Sequence, residues 1–88
     1  MRTLVLDGEY DIARKSELEH VFESLPGDGP AVLDMTRVTY IDSTFLHALG
    51  SLRVRFEHHP ITLIVRSEGV RRVLRLVKFD RLFRIVNS

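Results

Sequence analysis

Four short runs rich in aliphatic and β-branched residues, "TLVL" (Thr3–Leu6), "AVLDM" (Ala31–Met35), "ITLIV" (Ile61–Val65) and "LFRIV" (Leu82–Val86), are each separated from the next by a segment of helical periodicity. Strands that alternate with amphipathic helices predict an α/β domain with a largely parallel sheet covered by helices. Right-handed crossovers then leave few topologies. A chain of 88 residues fits one domain and buries about 60–65% of its unfolded surface.

Local chemistry sets the expected boundaries. "DGEYD" after the first run reads as a turn, with Gly8 free to take positive φ. Ser16 and Glu19 have the spacing of a capping box, and Leu18, Val21, Phe22 and Leu25 form one apolar face of the first helix. "PGDGP" (Pro26–Pro30) stops that helix. "VTYI" prolongs the second strand toward a helix expected from about Ser43 to His58, ending before Pro60. Ser67 is placed to cap a third helix. Val70, Val73, Leu74 and Val77 would form its buried stripe, with Arg71, Arg72, Arg75 and Lys78 in water.

Composition removes several functions. With no cysteine in the chain, disulfides, thiolate nucleophiles and cysteine-based zinc sites are excluded. "MRTLVLDGEYD" meets charge too soon for a signal peptide, and no apolar run reaches membrane-spanning length. No membrane insertion is expected, and the cytoplasm is the simplest address. The net charge of +1 conceals an asymmetry. Residues 1–42 hold nine acidic and four basic residues, net −5, whereas residues 43–88 hold three acidic and nine basic, net +6. Either the basic half is a surface for nucleic acid or anionic lipid, or the domain is dipolar with solvated charge. The second reading is preferred, because no aromatic residues alternate with the cations as a base-stacking platform needs. No direct nucleic-acid partner is expected.

The segment "TRVTYIDSTFLHALGSL" (Thr36–Leu52) places Asp42, Ser43 and Thr44 where an extended run becomes a helix. At 100° per residue, Phe45, Leu49, Leu52 and Phe56 share the core face. Ser43, His47, Gly50 and Val54 form the same series opposite, with Ser51 beside them. Such a small, mildly polar face is either a docking surface or a scatter of surface residues. Gly50 costs a helix about 1 kcal/mol relative to alanine, which makes sense if another backbone approaches it. Ser43 reads as the N-cap of this helix. A phosphate there would meet free N–H groups and the positive end of the helix, while Asp42 would oppose it.

"AVLDMTRVTYIDSTFLHAL" resembles the signature of the STAS domain, the module of sulfate transporters and anti-sigma-factor antagonists. "LVLDGEYDIARKSELEHVF" resembles the family's Leu-x-Gly-Glu-x-Asp segment, and "VRRVLRLVKFDRLFRIV" its later helix and final strand. The resemblance implies an α/β, STAS-like fold with about four mostly parallel strands and about three helices. It implies a single domain over residues 1–88, shortened at both ends. Ser43 matches the serine phosphorylated by the cognate anti-sigma kinase, and Asp11 and Asp42 match acidic positions near it. The implied function is partner switching by a non-catalytic anti-sigma-factor antagonist that is switched by serine phosphorylation. The partner is an anti-sigma factor kinase that itself binds ATP, a phosphatase resets the cycle, and the domain needs no cofactor. Asp11, Asp42, Ser43, Thr44, His47, Gly50, Ser51 and Val54 are the expected contact residues.

Phe45 departs from the family, which has glycine there, and an aromatic residue could crowd the helix start. A shortened domain would leave a sheet edge or apolar surface for a partner or for a second copy in a homodimer. The alternative within the family is a constitutive STAS subunit of a bacterial lipid-transport ABC system, or a stressosome-type scaffold. Readings from other classes fare worse. Asp42, Ser43 and His47 have the residue types of a hydrolase triad, but Asp42 lies at the wrong angle to orient His47. His58 and His59 diverge and lack a third metal ligand. A DNA-binding helix of Arg71, Arg72, Arg75 and Lys78 would bind with steep salt dependence, and solvated charge or contacts to an acidic partner explain those residues better.

Overall fold

The four apolar runs become four strands of one sheet in a computed structural model that describes residues Arg2–Ser88. The strands are β1 (Arg2–Tyr10), β2 (Ala31–Ile41), β3 (Ile61–Val65) and β4 (Arg84–Asn87). They lie in the order β1-β2-β3-β4, and every neighbouring pair is parallel. Between them run α1 (Lys15–Glu23), α2 (Ser43–Arg55) and α3 (Glu68–Leu76). Successive right-handed crossovers in one direction put all three helices on the same side of a sheet. Burial agrees. Leu33, Met35, Leu63 and Val65 are buried, while Val32, Asp34, Thr62 and Ile64, which alternate with them, are half-buried. Helices therefore cover one face of the sheet and leave the other half-buried.

The core joins that face to Leu18 and Phe22 of α1, Phe45, Leu49 and Leu52 of α2, and Val70 and Leu74 of α3. Ser67 caps α3 as expected, its hydroxyl oxygen accepting from the Val70 N–H at 3.3 Å. The expected stripe on α3 holds at Val70, Val73 and Leu74 and fails at Val77, which is exposed because the helix ends there. Arg71 is also not a solvated charge. It pairs with Glu68 at 2.6 Å and donates to Asn87 Oδ1 at 2.7 Å, fastening the end of β4. The Arg71 hydrogen bond holds the Glu68 carboxyl below its ordinary range. The last strand begins at Arg84 rather than Leu82, because Phe79–Arg81 forms a 3-10 turn first.

The structure differs from the expected start signals around α1 at two places. "DGEYD" is not a turn: β1 continues through Tyr10, with register shifts between Val5 and Asp7 and between Gly8 and Glu9. Gly8 does take positive φ, +77°, but within this irregular strand. A Cβ there would come within 3.0 Å of Arg14 Nη1. Arg14 explains the continuation. It donates to the Asp7 carbonyl at 2.7 Å and the Glu9 carbonyl at 3.2 Å, and it stacks 4.1 Å over the Tyr10 ring. It also pairs with Glu17 at 2.6 Å, a contact that holds the Glu17 carboxyl below its ordinary value. The capping box of Ser16 and Glu19 does not form. A 3-10 turn (Ile12–Arg14) precedes α1, and Asp11 caps that turn by accepting from the Ala13 N–H at 3.0 Å.

Candidate functional site

α2 begins at Ser43, but its N-cap is Asp42. One oxygen of Asp42 accepts from the Thr44 N–H at 2.9 Å and the Phe45 N–H at 3.2 Å. The expectation that Ser43 caps the helix is thus corrected by one position. Aspartate is as good a cap as serine, and the extended backbone of Asp42 (φ −124°, ψ −170°) is the geometry a cap requires. As a consequence Ser43 is the first helical residue and is exposed, and its hydroxyl makes no hydrogen bond with any described residue. The two side chains should separate in stability. Asp42→Ala is expected to cost about 1–2 kcal/mol in urea denaturation. Ser43→Ala should stay within about 0.5 kcal/mol.

α1 and α2 flank a groove of about 710 Å³. Leu18 and Phe22 contribute from α1, and Ala48 and Leu52 from α2. The rim carries Lys15, Glu19 and Glu23 on one side and Ser43, His47, Ser51 and Arg55 on the other, with Thr44 at the Ser43 end. Arg55 ties the helices together by donating to the Phe22 carbonyl at 2.6 Å. Ser43, Thr44, His47 and Ser51 therefore lie along the α2 wall of one groove.

The other expected contact residues divide. Val54 is 74% exposed and lies outside the groove. Gly50 turns toward the ring of Phe79, where an added Cβ would sit 4.0 Å from Cζ, an ordinary contact. An aromatic ring of the same chain, rather than an approaching backbone, therefore occupies the space beside Gly50. Asp11 caps its turn and does not line the groove. The α1 wall adds residues that no functional motif in the sequence marks. Lys15, Glu19 and Glu23 recur every four residues, a pattern that marks one helix face. Only the packing of α1 beside α2 shows that this face meets Ser43.

Phe45 does not crowd the helix start. It is fully buried between Tyr10, with ring centroids 5.2 Å apart, and Phe22, at 6.1 Å. The hydrolase arrangement is absent, since the Asp42 carboxylate is engaged in the cap and not with His47. Among the described residues, no three His, Cys, Asp or Glu side chains converge as a metal site. His58 instead lies 3.3 Å from Glu57 beyond the end of α2. No described helix is long and apolar enough to cross a membrane.

One all-parallel sheet of four strands is packed against three helices, and a capped Asp-Ser-Thr junction opens the second of them. The family model of the STAS domain matches residues 2–88, and the chain belongs to that family. The family includes anti-sigma-factor antagonists together with other STAS proteins, and its domains are generally non-catalytic. A search of curated proteins returns no significant match.

Proposed function

We propose that this protein is a non-catalytic anti-sigma-factor antagonist. It binds a kinase-type anti-sigma factor through the surface around Ser43 and is released when that kinase, using its own bound ATP, phosphorylates Ser43. A phosphatase restores the binding form. The observation that carries this reading is the exposed, unengaged hydroxyl of Ser43 at the first position of α2. Because Asp42 holds the cap, the hydroxyl can be modified without uncapping the helix.

A phosphate would add about −1.5 to −2 charges at that point. The helix N-terminus favours it and Asp42 opposes it, so the effect on folding is small. At a packed interface the same charge is disruptive, because it must be desolvated or repelled. His47, Ser51 and Thr44 share the groove with Ser43 and extend the contact along α2. Val54, with 74% of its surface exposed, supplies an apolar contact on the outer side of the same helix.

Intact mass and peptide mapping of the protein from its native host should find one phosphate, on Ser43, that is lost in Ser43→Ala. Ser43→Asp should weaken the complex with the cognate kinase at least about tenfold, equivalent to about 1.4 kcal/mol. Persistent absence of phosphate under varied stress would overturn the switch. It would favour a constitutive STAS subunit, to be identified by what copurifies through Ser43, His47 and Ser51.

A further inference from the structure

The C-terminal end of α3 and the turn that follows combine exposed aliphatic side chains with unpaired cations. Leu76 is 74% exposed, Leu82 49% and Val77 42%. These three lie within seven residues of chain that fold back on themselves. Successive turns are closed by the Lys78, Arg81 and Leu82 N–H groups, which donate to the Arg75, Lys78 and Phe79 carbonyls. The aromatic residues of the segment point the other way. Phe83 is buried, and its ring lies 5.5 Å from that of Phe79, which packs on the core. Among the described residues, none fully covers these aliphatic side chains. They lie outside both the α1–α2 groove and the smaller cleft lined by Glu68, Arg71, Arg75 and Asp80.

Around them, Arg72, Lys78, Arg81 and Arg84 are exposed and form no ion pair with any described residue. Asp80 is the single acidic residue between Arg72 and Arg84. Arg71 and Arg75 are less available, because Glu68 lies 2.6 and 4.0 Å from them. The strand order adds direction. Residues 1–42, net −5, supply β1, α1 and β2, whereas residues 43–88, net +6, supply α2, β3, α3 and β4. The charge halves therefore lie at opposite sides of one sheet, and the exposed aliphatic cluster is on the basic side.

We propose that the surface formed by Leu76, Val77 and Leu82 with Arg72, Lys78 and Arg81 docks peripherally on an anionic lipid bilayer. Cations beside protruding aliphatic side chains are what an interfacial anchor requires: charge draws the surface to the headgroups, and the aliphatic groups enter the boundary beneath them. Protruding aliphatic side chains beside free cations suit a deformable apolar phase with anionic headgroups. The acidic side of the sheet is repelled by the same bilayer, so the domain binds in one orientation. This assignment is independent of what happens at Ser43.

Flotation of the full chain with unilamellar vesicles at low ionic strength tests it, with circular dichroism confirming that each variant is folded. The wild-type protein should float with vesicles of equal parts phosphatidylcholine and phosphatidylglycerol, but not with phosphatidylcholine alone. Arg72→Gln/Lys78→Asn/Arg81→Gln should reduce binding at least about tenfold, as expected for losing three cations near an anionic surface. Asparagine is chosen because Lys78 has φ +63°, a conformation asparagine tolerates. Leu76→Ser/Leu82→Ser should reduce binding about fivefold or more, on the transfer energy of the apolar surface removed. The proposal is overturned if the wild type ignores anionic vesicles, binds neutral ones equally, or binds unchanged after the leucine substitutions. Failure to bind vesicles together with capture by polyglutamate would reassign the patch to an acidic protein.

Discussion

Phe45→Ala is expected to destabilise the domain by about 3–5 kcal/mol, the usual cost of emptying the site of a buried aromatic residue. Phe45 has no exposed surface and packs against Tyr10 from β1 and Phe22 from α1. Its removal therefore loosens two elements at once. At about 0.05–0.15 kcal/mol per residue the whole fold has only some 4–13 kcal/mol of stability. A midpoint shift of roughly 15–30 °C should follow in thermal unfolding. Phe45→Gly should be worse still. It leaves the larger cavity and adds about 1 kcal/mol for glycine in a helix. Phe45→Leu should recover most of the loss, because it refills much of the volume. A cost below about 1 kcal/mol for Phe45→Ala would mean that the Tyr10–Phe45–Phe22 stack is not what holds α2 to β1 and α1. Phe45 is thus a core residue, and Ser43, two positions before it, keeps its exposure.

Arg53→Ala should cost about 2–4 kcal/mol, large for a charged residue with no acidic partner. Its guanidinium donates to the Leu82 carbonyl at 3.2 Å, to the His59 carbonyl at 2.6 Å and to the Phe56 carbonyl. One side chain thereby closes the C-terminal end of α2, holds the loop before β3, and anchors the turn that leads into β4. Hydrogen bonds to a charged group contribute about 1.5–3 kcal/mol each at most, and three that share one group are not additive. Arg53→Lys should regain less than half, since an ammonium cannot reproduce a planar fork. Added salt should leave the difference between wild type and Arg53→Ala unchanged, because the partners are carbonyl dipoles. Urea denaturation measures the cost. Hydrogen exchange should show the protection of Arg84–Asn87 falling first. A strongly salt-dependent difference would point instead to long-range charge effects.

Arg14, Arg53, Arg55 and Arg71 make one point together. Each has the appearance of a surface cation in the sequence, and each donates to main-chain carbonyls of another element. Carbonyls carry no residue identity, so such a contact leaves no trace in side-chain pattern or charge spacing. The same cause accounts for where α1 starts. The Ser16–Glu19 spacing was present, but Arg14 pulled the end of β1 and the first helical turn into a different arrangement.

What the sequence by itself determined was the sort of elements and their order. Short runs rich in Val, Ile and Leu, separated by segments with an apolar residue every three or four positions, admit few folds at this length. The core face of α2 followed from the same rule, because helix geometry converts spacing directly into angle. The position of Ser43 at a helix start was equally legible, since polar capping residues act within three residues of chain. Which of Asp42 and Ser43 makes the cap, and so which is left exposed, depended on local backbone angles that the two residues satisfy equally well on paper. Tertiary structure alone decided that the Lys15–Glu19–Glu23 face of α1 lines the same groove as Ser43, that Gly50 meets Phe79, and that Leu76, Val77 and Leu82 stay uncovered. Each of these depends on how helices far apart in sequence lie on the sheet, and periodicity within one helix says nothing about its neighbour.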